Sequence, residues 1–154
     1  MRWLAAVAAV AGMLAGLGAL PQAQGAEREF YVLAVEPKGS ASVKKEVFPG
    51  MRLPEGKGFE TKAPDKAGNW QVSAYVFLPA QIFVRRGDDV TLHFVGINGD
   101  KHTIHIDAYK TDVFRVTRGS IQTIKFKAEK AGVFKFLCDE HPPSMRGELI
   151  VQGN

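Results

Sequence analysis

From Glu29 to Val151 most of the chain is written in short runs of alternating apolar and polar residues, each stopped within nine positions by Gly, Pro, Asn or Asp. Alternation at a period of two sends successive side chains to opposite faces, which describes half-buried strands. Such runs cover Glu29–Val35, with Phe30, Val32 and Ala34 on one face, and Trp70–Leu78, with Val72, Ala74, Val76 and Leu78 on one face. They continue at Gln81–Val84, at Asp89–Val95 (Val90, Leu92, Phe94 inward), at Lys101–Ala108 (His102, Ile104, Ile106 inward) and at Ile121–Phe126. Val133–Cys138 and Gly147–Val151 close the chain, with Phe134, Phe136, Cys138, Leu149 and Val151 facing the core. Arg85-Arg86-Gly87-Asp88 and Asn98-Gly99-Asp100 supply turns. With no heptad and no long amphipathic helix, the pattern predicts an all-β antiparallel sandwich or barrel.

Residues 39–69 break the rhythm, being rich in Gly, Pro and Lys. A stretch of that length without structure of its own is uncommon in a compact domain. It reads as an irregular surface insertion, with one short strand near Val43–Phe48, placed to cover a neighbour or bind a partner.

The first 25 residues carry Arg2, an apolar run from Trp3 to Leu20, then Pro21 and Ala23-Gln24-Gly25. These are the three parts of an export signal peptide. A retained anchor is the rival reading, because the apolar run is about long enough to span a bilayer. In either case the remaining 26–154, of a size for one domain, is expected outside the cytoplasm, in a periplasm, with no stable membrane insertion once the signal is cleaved. The single cysteine excludes an internal disulfide. In an oxidising compartment a lone thiol needs a reason to persist, and metal ligation is one.

That thiol, Cys138, ends a strand and is followed by His141, Pro142, Pro143 and Met145 before the last strand begins. Thiolate, imidazole and thioether on one proline-stiffened loop are soft to borderline donors, and with a second histidine they form a trigonal copper site with a weak axial sulfur. Taken singly, Cys138 would be a buried hydrophobe, Met145 a core filler and His141 a solvated loop residue. Their spacing argues for joint use. For the second histidine, parity favours His102, which shares its face with Ile104 and Ile106, over His105, which points the other way. A core-facing imidazole without a partner is costly, and coordination supplies the partner. His93 and His105 read as surface or inter-strand residues, and Asp139 and Glu140 as solvated charges. A cysteine protease lacks its supporting groups here, structural zinc usually draws on more cysteines, and no phosphate loop or dinucleotide fingerprint is present. Nucleic acid suits the basic pI of about 9.3 but not an exported domain.

On these residues the segment Val84–Val151 resembles the cupredoxins, the type 1 blue copper proteins. The family's early histidine and late Cys-x2-His-xn-Met loop map onto His102, Cys138, His141 and Met145. Ile106-Asp107-Ala108-Tyr109, the run from Lys127 to Gly132 and Cys138-x2-His141-Pro142 are similar to plastocyanin-like and nitrosocyanin-like members. Red-copper members of the latter kind have a carboxylate in place of the early histidine and a histidine in place of the methionine. This chain departs at both, which implies a blue-type site. The resemblance implies a Greek-key β-sandwich, one copper ion cycling between Cu(I) and Cu(II), and a one-electron carrier rather than an enzyme. His141 is then the edge where the electron leaves. A cytochrome or copper enzyme is the implied kind of partner, an acidic one if Lys101, Lys110, Arg115, Arg118, Lys125, Lys127, Lys130 and Lys135 share a face. Copper delivery or storage, and a red-copper or catalytic site with an open position, remain as alternatives.

Overall fold

The protein is described by a computed structural model over residues 25–107, 109 and 113–153; the export segment expected at 1–25 lies outside these, Gly25 excepted. No helix among them is long and apolar enough to cross a membrane. Twelve strands follow in order: β1 (Glu27–Val35), β2 (Lys38–Ser42), β3 (Phe59–Lys62), β4 (Asn69–Ala74), β5 (Val76–Leu78) and β6 (Gln81–Arg85), then β7 (Asp89–Gly96), β8 (Lys101–Ile106), β9 (Phe114–Thr117), β10 (Ile121–Lys127), β11 (Gly132–Cys138) and β12 (Arg146–Gln152).

Two sheets form the sandwich, one in the order β10-β7-β1-β5 and the other β6-β12-β11-β8-β9. Parallel pairing of β1 with β7 and of β6 with β12 joins strands distant in sequence, and the remaining contacts are antiparallel, giving a Greek-key sandwich. The alternation read from the sequence is what fills it. Val32, Ala34, Val90, Leu92 and Phe94 come from the first sheet and Ile104, Ile106, Phe136, Leu149 and Val151 from the second, all buried. Phe77, Phe94 and Phe136 meet edge to face, with ring centroids 5.1–5.9 Å apart. Each such ring contributes about 2–3 kcal/mol through burial alone.

The insertion departs from expectation. Residues 39–69 are not irregular throughout: β2 and β3 flank β4 in a separate three-stranded sheet, β2-β4-β3. Val43–Phe48 is turn and loop, its N–H groups at Lys45 and Glu46 both returning to the Ser42 carbonyl. The run Trp70–Leu78 is also not one strand. It breaks at Tyr75, where β4 leaves the small sheet and β5 enters the sandwich. The buried residues are Trp70 and Ser73 of β4 and Phe77 of β5, while Val72 and Leu78, expected inward, are exposed. Trp70 serves the small sheet, edge-on to Phe48 and donating its indole N–H to the Glu46 carbonyl. Strand β9, too short to stand out in the sequence, pairs with β8 and buries Val116 beneath it.

Candidate metal centre

Cys138 is the last residue of β11, and β8 lies beside it with Cys138 opposite Ile104. His102 therefore stands near the start of β8, on the core face and fully buried. The loop after Cys138 turns back at once: the Met145 N–H donates to the His141 carbonyl and the Cys138 N–H to the Met145 carbonyl, both at 3.1 Å. This fold-back brings His141 over the thiol. The Cys138 Sγ is 3.4 Å from His141 Nδ1 and 3.8 Å from His102 Nδ1, and the three donor atoms lie within 4.8 Å of one another. A trigonal ion with bonds of about 2.0–2.3 Å separates its donors by roughly 3.5–4 Å, so the group fits. Met145 is buried with Cys138 in the same core cluster.

The histidine tautomer follows from its partners. His102 Nε2 is 2.9 Å from the Asn98 carbonyl oxygen, which only accepts, so the proton sits on Nε2 and the Nδ1 lone pair faces the sulfur. Asn98 is itself fixed by a pair of hydrogen bonds, receiving the Glu36 N–H on Oδ1 and donating from Nδ2 to the Glu36 carbonyl. The end of β1 thus orients a residue on β8 through one amide side chain. His105 points outward as parity predicts and meets Asp139 at 3.2 Å, and His93 lies between Glu29 and Thr123.

Glu140 corrects the sequence reading, which left it as a solvated charge. Its carboxylate accepts from both the backbone N–H and the hydroxyl of Thr103, meets Lys101 at 3.3 Å and lies 3.5 Å from the Cys138 sulfur. Thr103 follows His102, so Glu140 ties the two donor-bearing elements together. An additional bond runs from the Asp139 N–H to the Thr103 carbonyl. Burial opposes the charged form of Glu140, but the Thr103 hydrogen bonds outweigh it and bring the carboxyl down to about 2. Nothing in the local sequence marks that role, because the partner stands 37 positions away.

Burial pushes the Cys138 thiol up to about 12, with the nearby Glu140 carboxylate adding to the rise. A metal taken up here must displace that proton. Burial, followed by the proximity of His102, lowers His141 and favours the neutral, coordinating imidazole.

A buried cysteine sulfur between two imidazoles at one end of a Greek-key sandwich defines a protein with a single copper site. The sequence matches the cupredoxin-like domain over residues 55–151, and the chain belongs to that family. Solved structures share the fold. They include a laccase from Botrytis aclada (TM-score 0.56, 16% identity, 84% of this chain and 23% of that one), a multicopper oxidase (0.55, 18%, 82% and 42%) and a copper nitrite reductase from Nitrosomonas europaea (0.53, 18%, 84% and 42%). This chain thus spans less than half the length of each. No curated protein matches it.

Proposed function

We propose that the protein is an exported, periplasmic carrier that passes one electron at a time between redox proteins, with His102, Cys138, His141 and Met145 as its copper ligands. The observation that carries this reading is the convergence of three donor atoms within 4.8 Å, on supports that are independent of any ion. Asn98 fixes His102, Glu140 and Asp139 join the loop to Thr103, and the fold-back bonds fix Cys138 and Met145. Bound copper supplies the change between Cu(I) and Cu(II). The chain's part is to keep donor positions nearly constant through that change, so that little reorganisation opposes outer-sphere transfer. Cys138 would give the strongest bond and a route for electronic coupling, and the Met145 thioether with the dryness of its surroundings would tune the potential.

Delivery or storage of copper favours exposed methionines and histidines, whereas His102 and Met145 are buried. An oxidase or reductase built on this fold needs further metal ligands, and among the described residues His93 and His105 are engaged with Glu29, Thr123 and Asp139 instead.

Visible and electron paramagnetic resonance spectroscopy of the copper-loaded protein tests the proposal. An intense thiolate-to-copper band with narrow hyperfine splitting is expected, and Cys138→Ser should abolish it. A weak band with ordinary splitting would refute a blue-type site, and a coloured serine variant would refute the thiolate assignment.

A further inference from the structure

His141 lies on the short loop after Cys138, and one face of its ring is covered. Tyr75, at the break between β4 and β5, stacks on the imidazole with centroids 3.7 Å apart and planes 20° from parallel. The same phenol ring lies 5.9 Å from His102, so it touches the surroundings of both imidazoles. At 3.7 Å no water fits between the two faces.

The stack is held by the segment leading into β3. The Tyr75 N–H donates to the Gly58 carbonyl and the Gly58 N–H to the Pro142 carbonyl, both at 2.9 Å. Ser144 Oγ, on the ligand loop, is 2.7 Å from the carbonyl oxygens of both Gly58 and Tyr75. Approach is so close that a Cβ on Gly58 would clash with Ser144 Oγ and lie 2.7 Å from the His141 carbonyl oxygen. Only glycine lets this segment lie against the loop.

We propose that Tyr75 is a positioning residue of the copper centre, an aromatic cap that fixes the plane of His141 and closes that side to solvent and small anions, with Gly58 clamping cap and loop together. This rests on the copper reading above. His141 sits on a short loop at the end of the sandwich, where its ring would otherwise turn about its side-chain bonds. The stacked ring stops that rotation in either oxidation state. The insertion thereby becomes part of the metal site instead of a free surface.

The test compares copper-loaded wild type with Tyr75→Phe, Tyr75→Leu, Tyr75→Ala and Gly58→Ala. It measures the rate of copper loss to excess EDTA and the change in the thiolate-to-copper band on adding azide. Loss of an orienting partner typically weakens metal binding by about 10-fold or more, so Tyr75→Ala should release copper roughly tenfold faster and respond to azide. Tyr75→Phe, which keeps the ring and loses only the hydroxyl's hydrogen bond to Glu36, should stay close to wild type, Tyr75→Leu should follow alanine, and Gly58→Ala should shift both readouts in the alanine direction with every ligand intact. A leucine variant as tight and as azide-inert as phenylalanine would overturn the stacking role. Should Tyr75→Ala fail to fold, an unchanged Gly58→Ala would overturn the clamp. Wild type that takes up no copper would instead sink the copper reading itself, a result separable from these.

Discussion

Glu140→Ala asks whether one carboxylate ties the Cys138 loop to the His102 strand. In the structure that carboxylate accepts two hydrogen bonds from Thr103 and meets Lys101 at 3.3 Å, with the Glu140 side chain 22% exposed. Hydrogen bonds to a charged group are worth about 1.5–3 kcal/mol each when one partner is removed. The half-exposed lysine pair adds under about 1 kcal/mol. Because the site is only partly buried, water can re-solvate the Thr103 N–H, so the lower part of the range applies and the expected loss is about 3–4 kcal/mol. The assay is denaturant unfolding of the copper-free protein at neutral pH, followed by fluorescence of Trp70, the one tryptophan of the sequence besides Trp3. The midpoint should fall with the slope unchanged. Copper affinity should drop with it, since His102 adjoins Thr103 and Cys138 lies two residues before Glu140. Glu140→Gln keeps the shape and one good acceptor, and should recover about half of the stability. An alanine variant within about 0.5 kcal/mol of wild type, the spread of ordinary surface substitutions, would refute the tie.

Met145→Leu should keep the intense colour and raise the reduction potential, read by a redox titration; a colourless variant would mean that Met145 does more than tune the potential. Asp88, buried at the opposite end of β7, accepts from the backbone N–H groups of Arg85 and Ala26 and from Arg28, and its carboxyl is lowered chiefly by the Arg85 bond. A depressed folded value gives stability that is complete above the unfolded value of about 3.8 and is lost as pH falls through the lower, folded one. Asp88→Asn should therefore destabilise at neutral pH and flatten the acid limb of the stability curve, and parallel curves for the two proteins would count against this. Lys101, Arg118 and Lys127 are paired locally with Glu140, Asp100 and Asp89, which reduces the charge left to steer a partner. If Arg115, Lys125, Lys130 and Lys135 still attract an acidic redox protein, the bimolecular electron-transfer rate should fall as salt rises, and a flat dependence would remove the idea.

The sandwich was legible because its strands are buried on one face, and period-two alternation reports that burial directly. Val90, Leu92 and Phe94, or Phe136 and Cys138, could be placed without any contact information, and parity alone separated His102 from His105. Alternation failed where a strand changes sheet. Trp70–Leu78 looks continuous, but Tyr75 N–H bonds to Gly58 while Phe77 enters the aromatic core, and no local pattern encodes that change of partner. Short β2 and β3 escaped for a related reason, since Lys38–Ser42 and Phe59–Lys62 bury little and are defined by hydrogen bonding to β4.

Ligand types were likewise readable from spacing, whereas the groups that aim them were not. Asn98, Thr103, Glu140 and Tyr75 act through partners from 37 to 69 positions away or through a turn, and each looks ordinary in its own neighbourhood. The physical consequence is a division of labour. Soft donors clustered on one loop decide which ion can bind, and long-range hydrogen bonds and ring stacking decide how firmly its geometry is held. Substituting Cys138, His102 or His141 should thus remove the centre, while substituting an orienting group should leave a centre of the same kind that is looser and more open. A variant of Asn98, which touches neither sulfur nor ion, should fall in that second class: a change that abolished copper binding outright would mean that aim and donation are not separable in this fold.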